Sequence, residues 1–203
     1  LKAKIGINGL GRIGRMVLRS IFEEKHKGLK INHINNRADI RTAFDLIKRD
    51  SVHGKFKAKI SINKNKLIIN GNKITYSQEN KLSSLSWKKN NVDIVFECTG
   101  KFNSKDKLIS HIKNGAKKVI VSAPCRNADK TIVYGVNHMN ISKKDKIISA
   151  ASCTTNCLAP VVYVLNNNFE IEKGFMTTIH SYTTDQRMLD NSHKDPRRAR
   201  SAG

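Results

Sequence analysis

The stretch from Lys4 to Phe22 limits the fold more than any other. Lys4-Ile5-Gly6-Ile7-Asn8 reads as a buried strand, and Gly9-Leu10-Gly11-Arg12-Ile13-Gly14 follows at once. Met16, Val17, Leu18, Ile21 and Phe22 then recur at helical spacing. Strand, G-x-G-x-x-G and helix in this order make the dinucleotide fingerprint. Gly9 permits the tight turn, Gly11 lets a pyrophosphate approach the backbone, and Gly14 lets helix pack on strand. The competing reading is a glycine-rich turn that only joins two elements. The strand and helix on either side favour the fingerprint.

A second strand runs from Lys30 to Asn35. A dinucleotide fold wants an acidic residue at its end to hold the adenosine ribose. Asn36 and Arg37 stand there instead. Asn36 can bond a hydroxyl but cannot repel a 2′-phosphate. Arg37 either attracts such a phosphate or is a solvated loop cation. The cofactor expected is therefore NAD, with NADP open.

Ile40 to Lys48 reads as a helix. Lys59 to Tyr76 reads as short alternating strands around an Asn70-Gly71 turn, an antiparallel excursion in a parallel sheet. Val92 to Cys98 is a further buried strand, ending at Thr99 and Gly100. A helix follows from about Ser104 to Lys113, then the strand Val119-Ile120-Val121 ending at Ser122. Ile132 to Val136 and Lys146 to Ser149 are expected as two more strands. Thr99, Gly100 and Ser122 either face a cofactor at strand ends or serve as helix-entry turns. The fold class is α/β, a doubly wound Rossmann-type parallel sheet.

Ser149 to Pro160 carries a cysteine, Cys153, among small hydroxyl residues between a strand-like and a helix-like run. A thiol in the first turn of a helix feels the dipole and the unpaired N–H groups, which favour thiolate. Ser152 is a suitable N-cap. Ser152, Thr154 and Thr155 could hold a phosphate beside the sulfur. The alternative is a buried structural cysteine. Cys157 lies one turn further on, as a packing residue or a redox partner. Cys98 and Cys125 look structural, and no spacing resembles a zinc site. Gly174 to His180 reads as a strand ending in histidine, and Ser181 to Gly203 as a long basic loop. His53, His111 and His193 show no partner in the sequence, so surface or capping roles are expected of them.

Thirty-eight Lys and Arg against sixteen Asp and Glu give a formal net charge of +22. The lysines are spread along the chain without aromatic interleaving, which speaks against nucleic acid as the main partner and for anionic metabolites. No apolar run is long enough to span a bilayer. Four cysteines without a paired framework point to a reducing cytosol.

Six segments together resemble phosphorylating glyceraldehyde-3-phosphate dehydrogenase of bacterial or organellar type. They are Ile7 to Arg15, Asp50 to Phe56, Glu97 to Gly100, Tyr134 to Asn137, Ala151 to Cys157 and Met176 to Thr183. The resemblance implies a dinucleotide-binding domain over 1–151 and the beginning of an α+β catalytic domain over 152–203, in a C-terminally truncated piece. Cys153 matches the family's nucleophile and His180 its base. Ser152 and Thr154 match groups that bind inorganic phosphate, and Thr183 one that holds the substrate phosphate. Asn8, Gly9, Arg12, Ile13, Asn35, Thr99 and Ser122 match positions around NAD. Asn36 departs from the family's usual aspartate. The implied assembly is a homotetramer. Erythrose-4-phosphate dehydrogenase is a close alternative, and a non-catalytic dinucleotide- or RNA-binding piece a more distant one.

Overall fold

A computed structural model describes residues 2–203; Leu1, read as leading into the first strand, lies outside the described residues. The chain forms two compact units that divide between Val164 and Leu165.

The first unit is a sheet with helices. Its elements are β1 (Ala3–Asn8), α1 (Arg12–Glu23), β2 (Leu29–Asn35), α2 (Ile40–Lys48), β3 (Arg49–Asp50), β4 (Gly54–Lys55), β5 (Ile60–Asn63), β6 (Lys66–Ile69), β7 (Asn72–Ser77), β8 (Ile94–Glu97), α3 (Lys105–Lys113), β9 (Lys118–Val121), β10 (Lys130–Thr131) and β11 (Ile147–Ser149), with α4 (Cys153–Phe169) starting after β11. The sheet order is β10-β11-β9-β8-β1-β2-β7-β6-β5. From β10 to β7 every pairing is parallel; β7-β6-β5 is antiparallel. Chain order reverses at β1, which has β2 on one side and β8 on the other. Such a switch point leaves a crevice beyond the carboxyl ends of the strands.

Two apolar layers hold the sheet. Ile5, Ile7, Leu18, Ile21, Ile31, Ile34 and Ile47 build one with α1 and α2. Trp87, Val95, Leu108, Val119 and Ile147 build the other with α3. Within β8, Val95 joins the second layer while Ile94 and Phe96 pack on the first. The two-residue period of a strand sends them to opposite faces. The β6–β7 hairpin turns at Asn70 (φ 46°) and Gly71 (φ 81°). Two positive φ angles match strand twist, which is why Asn-Gly sits there.

Two expected strands are corrected. The strand β10 ends at Thr131; the Ile132 N–H still donates to the Ser149 carbonyl at 2.8 Å, and residues 134–137 form a turn. The Val133 N–H donates to Asn137 Oδ1 at 2.8 Å and the Val136 N–H to the Val133 carbonyl at 3.1 Å, so the backbone bonds are spent locally. Gly174 to His180 has no strand assignment. Among the described residues no segment pairs with it, and Phe175 and Ile179 are fully exposed. A β-branched, apolar sequence makes a strand only when a neighbour supplies the ladder.

The second unit, Leu165 onward, holds the last turn of α4, this segment and the basic loop. The loop keeps its shape through Asp–Arg pairs, not an apolar core: Asp185 with Arg198, Asp190 with Arg200 at 2.8 Å and Asp195 with Arg197 at 3.1 Å. His193 is also corrected. Its side chain is nearly buried, and Nδ1 accepts from the Asp195 N–H at 2.9 Å.

Candidate functional site

The crevice beyond β1, β2 and β8 is a cleft of about 350 Å³. It collects Asn8, Gly9, Gly11, Asn35, Asn36, Arg37 and Thr99 of the expected cofactor residues. Glu79, Asn80, Lys101 and Phe102 join them from loops that carry no motif. Arg12, Ile13, Gly14, Gly100 and Ser122 lie outside the lining.

The glycine loop fits a dinucleotide. Gly9 has φ 94°, and a Cβ there would sit 2.9 Å from the Thr99 amide nitrogen. A Cβ on Gly14 would lie 1.9 Å from the Gly9 carbonyl oxygen. Both glycines are required by the chain itself. Gly11 is not: a Cβ there meets nothing within 4 Å. The space beside Gly11 is thus open to a ligand, and α1 has no side-chain cap at its N-terminus. Uncapped N–H groups at the positive end of a helix suit a pyrophosphate.

Arg12 begins α1, but its guanidinium turns away to Asp50, at 2.5 Å. That contact and the N–H groups of His53 and Val52 hold the Asp50 carboxyl well below the usual carboxylate range. Ile13 is half exposed.

The floor of the cleft is a buried polar network. Asn8 Nδ2 donates to Glu97 Oε2 at 2.6 Å, and Asn35 Nδ2 to Asn8 Oδ1 at 2.8 Å. Glu97 Oε1 accepts from the Thr99 N–H at 2.8 Å and from its hydroxyl at 2.5 Å. His111, expected at the surface, is instead wholly buried between Trp87 and Glu97. Its position three residues after Leu108 on α3 puts it on the core-facing stripe, and that spacing was the available signal. Glu97 opens one of the segments that carry the resemblance, which gives it no role, and Trp87 carried no signal. Cys98 is buried on the same strand end, and burial pushes its thiol up to about 11, against a hydrogen bond from Ser122.

Beyond β11 the chain makes a tied turn into α4. Ser149 Oγ donates to the Ala123 carbonyl at 2.8 Å and accepts from the Ala151 N–H at 3.1 Å. Ala151 has φ 59°, an unusual conformation for a residue with a Cβ. Ser152 then caps the helix, accepting from the Thr155 N–H at 3.0 Å. Cys153 is the first residue of α4 and is exposed; Thr154 is half-buried. Cys157, one turn on, is also exposed.

In the second unit, His180 Nδ1 lies 2.6 Å from the Ser181 carbonyl oxygen. A carbonyl only accepts, so Nδ1 carries the proton and Nε2 is the basic nitrogen of the neutral ring. The Thr183 N–H donates to Gln186 Oε1 at 2.9 Å, and the Gln186 N–H returns to the Thr183 carbonyl at 3.0 Å.

Comparison with known proteins covers both units. Residues 3–105 match the family described as glyceraldehyde 3-phosphate dehydrogenase, NAD binding domain, and residues 152–203 the corresponding C-terminal domain. The chain is 47% identical over 203 residues to a glyceraldehyde-3-phosphate dehydrogenase of Zymomonas mobilis, covering 100% of this chain and 60% of that protein. It is 48% identical over 204 residues to glyceraldehyde-3-phosphate dehydrogenase 2 of Bacillus subtilis, covering 100% and 59%. The enzyme of Geobacillus stearothermophilus is 48% identical over 203 residues, with 100% and 60% covered. The chain thus spans about 60% of the length of these relatives. By its NAD-binding match and its agreement with these relatives along its whole length, the chain belongs to the glyceraldehyde 3-phosphate dehydrogenase family.

Proposed function

We propose that the chain carries the dinucleotide-binding and nucleophile-bearing parts of a phosphorylating dehydrogenase of glyceraldehyde 3-phosphate. The observation that carries this reading is Cys153 at the exposed first position of a Ser152-capped helix. An aldehyde gives up hydride poorly until a nucleophile has added to it. The Cys153 thiolate adds to the carbonyl carbon, and a hemithioacetal results. His180 Nε2 takes the hydroxyl proton as the C–H bond breaks, leaving a thioester on Cys153. When bound, the nicotinamide ring supplies the acceptor for that hydride. Ser152 and Thr154 hold inorganic phosphate, which attacks the thioester carbonyl; acyl phosphate leaves and the thiolate returns. Thr183 holds the substrate's own phosphate. Asn8, Gly9, Gly11, Asn35, Asn36, Arg37 and Thr99 bind the dinucleotide, with Arg12, Ile13, Gly14, Gly100 and Ser122 contributing backbone or support. For the longer protein that carries this chain the expected assembly is a homotetramer and the expected compartment the cytoplasm.

The test is acyl-enzyme trapping. The longer protein that carries this chain is mixed with glyceraldehyde 3-phosphate and NAD without inorganic phosphate, since the 203-residue piece by itself is expected to be inactive, and is then digested and mapped by mass spectrometry. An acyl adduct on Cys153, formed with reduced NAD and absent in Cys153→Ser, is expected. An adduct elsewhere, or one that survives the substitution, overturns the reading. Erythrose 4-phosphate run in parallel tests the alternative substrate.

A further inference from the structure

The network under the cleft fixes its own proton positions from its two ends. At one end, the Trp87 Nε1–H donates to His111 Nδ1 at 2.9 Å. Indole nitrogen is a donor only, so His111 Nδ1 bears no proton and Nε2 must carry it. The His111 Nε2–H therefore donates to Glu97 Oε2, 3.0 Å away. The imidazole is neutral, and its contact with Glu97 is a hydrogen bond, not an ion pair.

At the other end, the Glu79 backbone N–H donates to Asn35 Oδ1 at 2.8 Å. A backbone N–H cannot accept, so the Asn35 amide is oriented with Nδ2 toward Asn8 Oδ1. That in turn orients Asn8, whose Nδ2 faces Glu97 Oε2. Glu97 thus receives four donors, from Asn8, His111 and, twice, Thr99, and among the described residues no acceptor is bonded to it. The residue is 1% exposed. Four donors around two oxygens fit a carboxylate, and they hold its charge without a cation.

The two side chains that Glu97 holds, Asn8 and Thr99, both line the cleft. Asn8 is the last residue of β1 and Thr99 lies two residues past the end of the neighbouring parallel strand β8. We propose that Glu97 is a positioning residue for the dinucleotide: a buried carboxylate that clamps the binding ends of β1 and β8 into one orientation. The proposal rests on the dinucleotide reading of the cleft. A neutral amide in place of the carboxylate has one accepting oxygen for the two that are used. Its NH2 would face either Asn8 Nδ2 and the His111 Nε2–H, which share Oε2, or the Thr99 backbone N–H at Oε1. Asn8 and His111 cannot reverse, because Glu79 and Trp87 hold them, and a backbone N–H cannot accept. Either Asn8 or Thr99 must then leave its place.

Trp87 is the sole tryptophan of the chain, so its indole N–H gives a single resonance that reports on the network. The experiment measures NAD affinity by calorimetry and follows that resonance during the titration, for the 203-residue chain and for Glu97→Gln. In the unsubstituted chain the indole N–H should shift saturably with the calorimetric midpoint. In Glu97→Gln the Kd for NAD should rise at least about tenfold, and the indole signal should no longer follow NAD. A Glu97→Gln protein that melts earlier but binds NAD within about twofold of the parent overturns the proposal, since Glu97 would then serve folding alone. If that variant does not fold, the parent titration decides: an indole N–H unmoved at saturation overturns the proposal. Failure of the parent chain to bind NAD overturns the dinucleotide reading itself.

Discussion

The backbone N–H of Leu10 donates to Asn36 Oδ1 at 3.1 Å, so the residue that follows β2 holds the glycine loop that follows β1. Asn36 Nδ2 donates to the Tyr76 hydroxyl at 3.2 Å, which itself donates to the Ala38 carbonyl at 2.6 Å. An aspartate could keep the Leu10 bond and would add a charge at the cleft wall. We expect Asn36→Asp to raise the Kd for NADP relative to NAD by about tenfold or more, through repulsion of the 2′-phosphate. Arg37 lines the same wall and is exposed. Arg37→Ala should weaken NADP by about two- to fivefold, the range of an exposed ion pair, and spare NAD. Equal effects on both nucleotides would make Arg37 a solvated cation only. Paired calorimetric titrations decide both points.

The glycines of the fingerprint should separate by assay. Gly14→Ala pushes a Cβ to 1.9 Å from the Gly9 oxygen, and the loop cannot absorb it without moving. A loss of about 1–3 kcal/mol or more is expected in urea unfolding. Gly11→Ala meets no protein atom within 4 Å and should melt like the parent. Its cost should appear in NAD binding, because the methyl group enters the open approach to the helix N-terminus. A Gly11→Ala protein with parental affinity would show that no ligand passes there.

Cysteine alkylation should follow position. Cys153 is exposed at the start of α4, where the dipole favours thiolate. Cys157 is exposed but lies a turn away from that field. Burial raises the Cys125 thiol, and pushes Cys98 up to about 11. Iodoacetate at neutral pH should modify Cys153 first and Cys98 last, and unfolding in urea should remove the order. Equal native rates at all four sulfurs would remove the case for an activated thiol. Ser152→Ala, which deletes the cap, should slow the Cys153 reaction and cost about 1 kcal/mol of stability.

His33 predicts an acid-side loss of stability. It is 5% exposed, with Nδ1 2.7 Å from Thr75 Oγ1 and Nε2 2.9 Å from Ser77 Oγ. Burial pushes its pKa down from 6.5 to about 4. Between those values the unfolded chain binds the proton and the folded chain does not, so stability falls as pH drops through that window. The contribution lost is on the order of 3 kcal/mol. Urea midpoints at pH values across the window should fall accordingly, and His33→Gln should flatten the slope. An unchanged slope in that variant would assign the acid sensitivity to other groups.

Local patterns in the sequence determined most of the elements. The alternation of Ile5 and Ile7, the helical recurrence of Leu18 and Ile21, and the Asn70-Gly71 turn each act within a few residues, so each is legible in a linear string. The Ser152 cap and the glycine loop are local for the same reason. Tertiary structure decided what needs a distant partner. Asn8 meets Glu97 across 89 positions because β8 pairs with β1, and Trp87 meets His111 across 24 because α3 packs on the layer that holds Trp87. Asn137 turned the chain after Thr131 where apolar residues alone read as a strand. Residues 174–180 have strand composition and no strand, because a β-ladder is a bond between two segments. Period and capping are encoded one residue at a time; the pairing of buried polar groups is set by which elements the core brings together.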